Sequence, residues 1–197
     1  MKLILFFNGW GMDKKVVENV VVPDGYEVEV INFPYGVNIN LDRYDEIVPI
    51  GWSFGCYYLT KWISSYGNSK INKIIAINGN GEIIGKYGIT PKIFDFTLNT
   101  LTPDSLLKFY NNMGIDENFK NPNRSFQEVK KELEFFKENY TPLENIFTNI
   151  VIGKNDKIVS GNRQIKYCQE KNIPYTKLDM GHYPFDNIRA WSELYEL

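Results

Sequence analysis

The stretch Ile47-Val48-Pro49-Ile50-Gly51-Trp52-Ser53-Phe54-Gly55 decides the fold. Its apolar start predicts a strand, and residues 56–65 predict a helix because Leu59, Trp62 and Ile63 recur at helical spacing. A Gly-x-Ser-x-Gly turn between a strand and a helix is the setting of a nucleophile elbow, which holds its serine exposed at the carboxyl edge of a sheet. The pentapeptide by itself fits an ordinary glycine-rich turn equally well.

Further strands and helices are predicted on both sides of this turn. The strands are expected at residues 3–7, 26–31, 46–50, 73–77, 149–152 and 175–178, and helices other than 56–65 at 125–140, 161–171 and 191–197. Strands that alternate with helices are typical of βαβ units and a parallel sheet. The sequence therefore predicts the α/β class, with a mostly parallel sheet flanked by helices.

Residues 81–144 interrupt this alternation. The interval contains four prolines and a helical stretch in which Phe126, Val129, Leu133 and Phe136 form one apolar stripe. Because it falls between the fourth and fifth strands, we interpret it as a helical cap inserted within a single domain of residues 1–197. The alternative is that these helices simply cover one face of the sheet.

Composition excludes several classes of function. The formal net charge is −2, which gives no global basic field for nucleic acid. The N-terminal apolar run is too short for a signal peptide, and no segment approaches a membrane span, so a cytoplasmic protein with no membrane association is expected. Cys56 and Cys168 match no metal or redox spacing and are predicted to be buried thiols. No metal or cofactor is expected.

The loop after the first strand, Asn8-Gly9-Trp10-Gly11, is a candidate for half of an oxyanion hole. Such a site needs two amides that converge on one oxygen, from the residue after the nucleophile and from a loop after an early strand. These would be the amides of Phe54 and Trp10. The alternative is a tight turn that carries a core tryptophan.

His182 is the single histidine of the chain, so a general base for Ser53 has no competitor. Asp156 follows the fifth predicted strand, where a carboxylate can orient an imidazole. The order serine, aspartate, histidine is that of α/β-hydrolase triads. Asp179 is too near His182 in sequence to bond it in the right direction, and Asp186 is predicted to cap the last helix.

Four motifs together resemble the BioG-type pimeloyl-[acyl-carrier protein] methyl ester esterases of biotin synthesis, which are compact α/β-hydrolases with a short cap. They are Asn8-Gly9-Trp10-Gly11-Met12, Gly51-Trp52-Ser53-Phe54-Gly55, Gly153-Lys154-Asn155-Asp156 and Gly181-His182-Tyr183-Pro184-Phe185. The similarity spans essentially the whole chain. Gly-Trp-Gly also resembles the BioH-type esterases, but there a histidine usually stands where this chain has Asn8.

The resemblance implies that Ser53 attacks a distal methyl ester, that Trp10 and Phe54 bind the oxyanion, and that Asp156 orients His182. It also implies an acidic acyl-carrier protein as partner, so we expect the cap to be its docking region. The cap interval contains the cations Lys86, Lys92, Lys108, Arg124, Lys130, Lys131 and Lys137 and the acids Glu117, Glu128, Glu132, Glu134 and Glu138. A mixed-charge, solvent-facing helix surface is the expectation for any single lysine among them.

Three alternatives stay open from the sequence. The first is a carboxylesterase or thioesterase that acts on a free small acyl substrate. The second is an acyltransferase, in which an alcohol or amine replaces water in a dry pocket. The third is a non-catalytic hydrolase fold that serves as a binding module, because fold alone does not determine function.

Overall fold

The computed structural model describes residues 1–67, 69–116 and 119–197. Six strands form one sheet in the order β2-β1-β3-β4-β5-β6, and every neighbouring pair is parallel. The strands are β1 Lys2–Phe7, β2 Tyr26–Ile31, β3 Glu46–Trp52, β4 Ile75–Ile77, β5 Asn149–Gly153 and β6 Tyr175–Leu178. The predicted α/β class and parallel sheet are confirmed.

The central strands are buried on both faces, which explains their continuous apolar sequence. The described residues also form six helices, which connect or follow the strands. They are α1 Phe54–Tyr66, α2 Pro91–Asn99, α3 Pro103–Asn112, α4 Phe126–Asn139, α5 Gly161–Lys171 and α6 Ser192–Tyr195. Short 3-10 turns occupy Lys14–Val17 and Leu41–Arg43.

The boundaries around the serine turn differ from those predicted. β3 continues to Trp52 and α1 already begins at Phe54, so Ser53 alone separates the strand from the helix. β4 is shorter than expected and begins at Ile75. The last helix covers four residues instead of residues 191–197. Local patterns indicate where elements lie, but hydrogen bonding to neighbours fixes their ends.

Helices α2, α3 and α4 occupy the interval between β4 and β5. Their first turns are well capped, because the side chains of Thr90, Thr102 and Ser125 each accept a hydrogen bond from the third amide of the helix. On α4, the predicted stripe residues Val129 and Leu133 are buried. Glu117, one of the acids in this interval, lies outside the described residues.

Three smaller predictions have clear outcomes. Cys56 and Cys168 are free and buried as predicted, and burial raises the pKa of both thiols. Asp186 does not cap the last helix, so that prediction was wrong; its carboxylate accepts a hydrogen bond from the Asp116 amide at 2.9 Å. Among the described residues, no helix is long and apolar enough to cross a membrane.

Candidate active site

Ser53 lies in a strained turn between β3 and α1. Its backbone angles are φ 55° and ψ −122°, a region that residues other than glycine rarely adopt. Strain of this kind concentrates at functional sites. The flanking glycines make the turn possible. A Cβ atom at Gly51 would lie 2.8 Å from the Cα of Cys56, and one at Gly55 would lie 2.0 Å from the carbonyl oxygen of Phe7. The helix and two strands therefore approach closely only because both positions are glycine.

The structure brings the three predicted side chains together. The Nε2 atom of His182 lies 2.9 Å from the Oγ of Ser53, and its Nδ1 atom lies 2.8 Å from the Oδ2 of Asp156. With Nδ1 protonated toward the carboxylate, Nε2 presents its lone pair to the serine hydroxyl. All three side chains are buried or nearly so. This geometry permits proton transfer from the hydroxyl to the imidazole.

Asp156 is held in place by the loop that follows β5. Its Oδ1 atom accepts hydrogen bonds from the amides of Ile158 and Val159 at 2.8 and 2.9 Å. The Nε2 of Gln164, on α5, lies 3.4 Å from Oδ2. These donors fix the carboxylate and leave Oδ2 directed at the imidazole. The nearer aspartate in sequence, Asp179, instead accepts a hydrogen bond from Asn155.

Two residues that the sequence analysis did not single out hold the histidine loop. Asn78, at the end of β4, donates hydrogen bonds to the carbonyls of Gly181 and His182 at 3.0 and 2.9 Å. Its own oxygen accepts the Gly153 amide at 2.7 Å. The indole of Trp52 also donates to the His182 carbonyl, at 2.8 Å. The strand ends and the loop are thus joined behind the imidazole.

The two candidate oxyanion donors, Trp10 and Phe54, line one cavity together with the serine. Phe54 is the first residue of α1, so its amide has no acceptor within the helix. The amides on both sides of Trp10 are engaged, that of Gly9 with the side chain of Asn8 and that of Gly11 with a buried carboxylate. No described residue accepts a hydrogen bond from the Trp10 amide itself.

That buried carboxylate is Glu132 on α4, which the sequence analysis listed only as one of the acids in the interval of residues 81–144. Glu132 is only 1% exposed, so it does not belong to a solvent-facing surface. It forms an ion pair with Arg124 and accepts hydrogen bonds from the Gly11 amide at 3.3 Å and the Tyr35 hydroxyl at 3.0 Å. Burial raises the pKa of the carboxyl, and the guanidinium opposes that rise. Arg124 is therefore a structural cation rather than a free surface charge.

A cavity of about 330 Å³ opens above the serine. Helices α2, α3 and α4 supply much of its lining through Phe94, Phe109 and Leu133, and the Trp10 ring contributes from the other side. The lining is mainly apolar, with Ser53 and His182 as the reactive groups. Such a cavity suits a short acyl chain. Across the described residues, no group of three or more His, Cys, Asp or Glu side chains forms a metal site.

Comparison with protein families gives one match over nearly the whole chain. The model described as Pimeloyl-ACP methyl esterase BioG matches residues 1–194. A crystal structure of BioG from Haemophilus influenzae superposes with a TM-score of 0.87 at 24% identity, covering 98% of this chain and 94% of that one. An esterase from Exiguobacterium antarcticum shares the fold at a TM-score of 0.60 and 13% identity, over 94% of this chain and 86% of its own.

Among curated proteins, a malonyl-[acyl-carrier protein] O-methyltransferase from Bacteroides fragilis is 30% identical over 199 residues. The alignment covers 91% of this chain, which spans only 39% of the length of that relative. A Haemophilus influenzae protein described as uncharacterized is 25% identical over 206 residues, covering 98% of this chain and 94% of its own.

Proposed function

The chain belongs to the pimeloyl-ACP methyl esterase BioG family, and we propose that it hydrolyses the methyl ester of a pimeloyl group carried by an acyl-carrier protein in biotin synthesis. The observation that carries this proposal is the array of Ser53, His182 and Asp156 with contacts of 2.9 and 2.8 Å at the floor of an apolar cavity. The family supports the proposed substrate class, and the geometry of the three side chains supports the proposed reaction.

In the first half of the reaction, Ser53 attacks the ester carbonyl and His182 accepts the hydroxyl proton at Nε2. Asp156 stabilises the imidazolium that forms. The negative charge on the carbonyl oxygen is bound by the amides of Trp10 and Phe54. His182 then returns the proton to the departing methoxide, so that methanol leaves and an acyl-enzyme remains.

In the second half, a water molecule takes the position that methanol vacated. His182 removes a proton from the water, the hydroxide attacks the acyl-enzyme, and the same two amides bind the second oxyanion. The imidazolium returns its proton to Ser53 as the ester bond to the serine breaks. The products are methanol and a carrier-bound acid with a free distal carboxylate.

The described helices also support the proposal that residues 81–144 act as a cap. α2, α3 and α4 line the cavity opposite the serine, so their placement determines how deep a substrate can reach. The carrier thioester of the substrate has to stay away from Ser53, because its hydrolysis would release the acyl chain from the carrier. In this proposal the cavity of about 330 Å³ holds the distal ester, and the thioester stays nearer the mouth.

The relative from Bacteroides fragilis supports a carrier-bound substrate. That protein is named for methylating a malonyl group on an acyl-carrier protein, and part of it is similar to nearly all of this chain. A methyl ester on a carrier-bound acid is what such a methyltransferase forms. It is also what the proposed esterase removes.

The decisive experiment measures hydrolysis of carrier-linked pimeloyl methyl ester and of free dimethyl pimelate by the purified chain and by Ser53→Ala. We expect kcat/KM to favour the carrier-linked ester strongly, and Ser53→Ala to lose about 10³-fold or more in kcat. A fluorophosphonate probe should label the unaltered chain but not Ser53→Ala. Equal rates on both esters would favour a general carboxylesterase, and unlabelled, inactive protein would favour a non-catalytic module.

A further inference from the structure

A second cavity adjoins the one above Ser53. It has a volume of about 630 Å³ and lies between the start of α2, the loop after β5 and the first turn of α5. The two cavities share four lining residues, Ile89, Ile93, Lys157 and Ile158, so they lie next to each other. These shared residues mark the junction between the two cavities.

The second cavity is cationic, in contrast to the apolar first cavity. Lys154, Lys157, Arg163 and Lys177 all line it. The guanidinium of Arg163 is partly buried and is oriented by donating a hydrogen bond to the Gly88 carbonyl at 3.1 Å. The acid that lines the cavity, Asp156, has a fully buried side chain engaged with His182 and two backbone amides. It therefore forms no direct ion pair with these cations.

These four cations differ from most cations of residues 81–144. In that interval five of the eight cations lie in an ion pair with a carboxylate, namely Lys86, Lys120, Arg124, Lys130 and Lys137. None of the four cations of the second cavity forms an ion pair with a carboxylate in the part of the chain that the structure describes. Clustered cations of like charge repel one another, so a bound anion would stabilise this arrangement.

We propose that the second cavity binds the phosphopantetheine arm of the acyl carrier, with the phosphodiester of the arm on Lys154, Lys157, Arg163 and Lys177. This inference rests on the function proposed above. The order of chemical groups along the substrate matches the order of the two cavities. The apolar acyl chain would occupy the apolar cavity above Ser53. The polar pantetheine, with its two amides, and then the phosphate would follow in the cationic cavity. Lysine and arginine are the residues that bind phosphate most strongly in proteins.

The arrangement also explains how the thioester is kept from the nucleophile. With the phosphate anchored on the cations, the arm is held in the second cavity and the acyl chain extends from the junction to Ser53. The distal ester then reaches the reacting atoms while the thioester stays near Ile89 and Ile158. Under this proposal the acyl-carrier protein docks at the loops around β5, β6 and α5. This differs from the expectation from the sequence, which placed its docking region on the helices of residues 81–144.

The test compares three pimeloyl methyl ester substrates. They are the thioester of the holo-carrier, the thioester of free phosphopantetheine, and the thioester of pantetheine, which lacks the phosphate. The ratio of kcat/KM for the second and third substrates isolates the phosphate from the body of the carrier. For the unaltered chain at low salt we expect a ratio of about 10 or more, which decreases as salt screens the charges.

The variant Lys154→Gln/Lys177→Gln removes two cations that line only the second cavity, and we expect it to lower that ratio severalfold. The control Lys14→Gln/Lys61→Gln removes the same charge from exposed positions and should keep the ratio of the unaltered chain. Thermal unfolding of both variants shows whether they remain folded.

The possible outcomes separate this inference from the proposed function. A ratio near 1 in the unaltered chain, or a ratio that the cavity variant leaves unchanged, overturns the binding of the arm even if the carrier substrate is hydrolysed. A cavity variant that loses activity only toward the holo-carrier would show that the lysines contact the carrier body, which also overturns it. Failure of the unaltered chain to hydrolyse the holo-carrier substrate overturns the proposed function and this inference with it.

Discussion

The carboxylate of Glu132 accepts a hydrogen bond from the amide of Gly11 at 3.3 Å, and so joins α4 to the loop that carries the candidate oxyanion donor. The same carboxylate balances the charge of Arg124. It also accepts a hydrogen bond from the Tyr35 hydroxyl. The helix that lines the cavity and the loop with the candidate oxyanion donor therefore share one buried acid, and neither can move relative to the other without breaking that contact.

Removing this carboxylate should affect both stability and activity. Glu132→Ala leaves a largely buried guanidinium without its partner, and we expect the free energy of unfolding to fall by about 3 to 5 kcal/mol. Denaturant unfolding measures that loss. The neighbouring exposed pair is the control: Glu134→Ala, which breaks a contact of 3.8 Å to Lys130, should cost less than about 1 kcal/mol. Similar losses for both variants would show that Glu132 has no special role.

Whether Glu132 also positions the loop is tested by activity under conditions where the protein is folded. Glu132→Gln retains an acceptor for the Gly11 amide, whereas Glu132→Ala does not. We expect kcat to fall about tenfold or more in the alanine variant, because misplaced catalytic groups are costly, with KM changed little. The glutamine variant should recover part of that loss. An alanine variant with normal kcat would contradict a positioning role.

The sequence contained a signal for Glu132 that the pattern analysis did not use. Residues 129, 133 and 136 were assigned to the buried stripe of α4, and residue 132 lies one turn from 129 and 136 on the same face. A charged residue on such a face indicates a buried partner. The identity of the partners depends on how α4 packs against the first loop, and no local pattern encodes that packing.

Sequence and structure agree best where local geometry restricts residue choice. The turn at Ser53 requires glycine on both sides, so its pattern could be identified directly. Asn78 follows a three-residue strand and has an ordinary loop sequence, yet it bonds three backbone groups around the histidine loop. Its role depends on the alignment of strand ends across the sheet, which arises only when β4 and β5 pair.

Gly55→Ala should disrupt the junction of α1 with β1. The added methyl group would lie 2.0 Å from the Phe7 carbonyl oxygen, and rigid backbone on both sides prevents relaxation. We expect a loss of about 3 kcal/mol in the free energy of unfolding, measured by denaturant titration. Gly36→Ala is the matched control, because its nearest neighbour would be the Asn38 side chain at 3.4 Å. A Gly55→Ala variant as stable as the unaltered chain would contradict the close approach of α1 to the Phe7 carbonyl of β1.

Asn78→Asp should impair the histidine loop while keeping the size of the side chain. The substitution replaces the amide that donates to the Gly181 and His182 carbonyls with oxygens that repel them. We expect kcat toward the methyl ester to fall by about 10²-fold, since His182 would shift from Ser53. Asn19→Asp, at an exposed position, should retain normal activity. Equal activity of the two variants would show that the loop is held by other contacts.

Asp186 should make stability depend on pH in a way that an ordinary surface acid does not. Burial raises the pKa of this carboxyl from 3.8 to about 6, and the nearby Asp116 carboxylate contributes to the rise. The folded state thus binds a proton more tightly than the unfolded chain, so this group stabilises the fold at low pH. That stabilisation is lost as the pH rises through about 6.

Asp186→Asn cannot ionise, and its amide oxygen can still accept the Asp116 amide. We therefore expect the Tm of the variant minus that of the unaltered chain to increase from about pH 4 to about pH 6 and to level off above that. Calorimetry across that range provides the measurement, with exposed Asp24→Asn as the control whose Tm difference changes little. The contrary result is a Tm difference between Asp186→Asn and the unaltered chain that stays constant or falls as the pH rises. That result would mean that the Asp186 carboxyl is ionised at low pH and stabilises the loop as an anion.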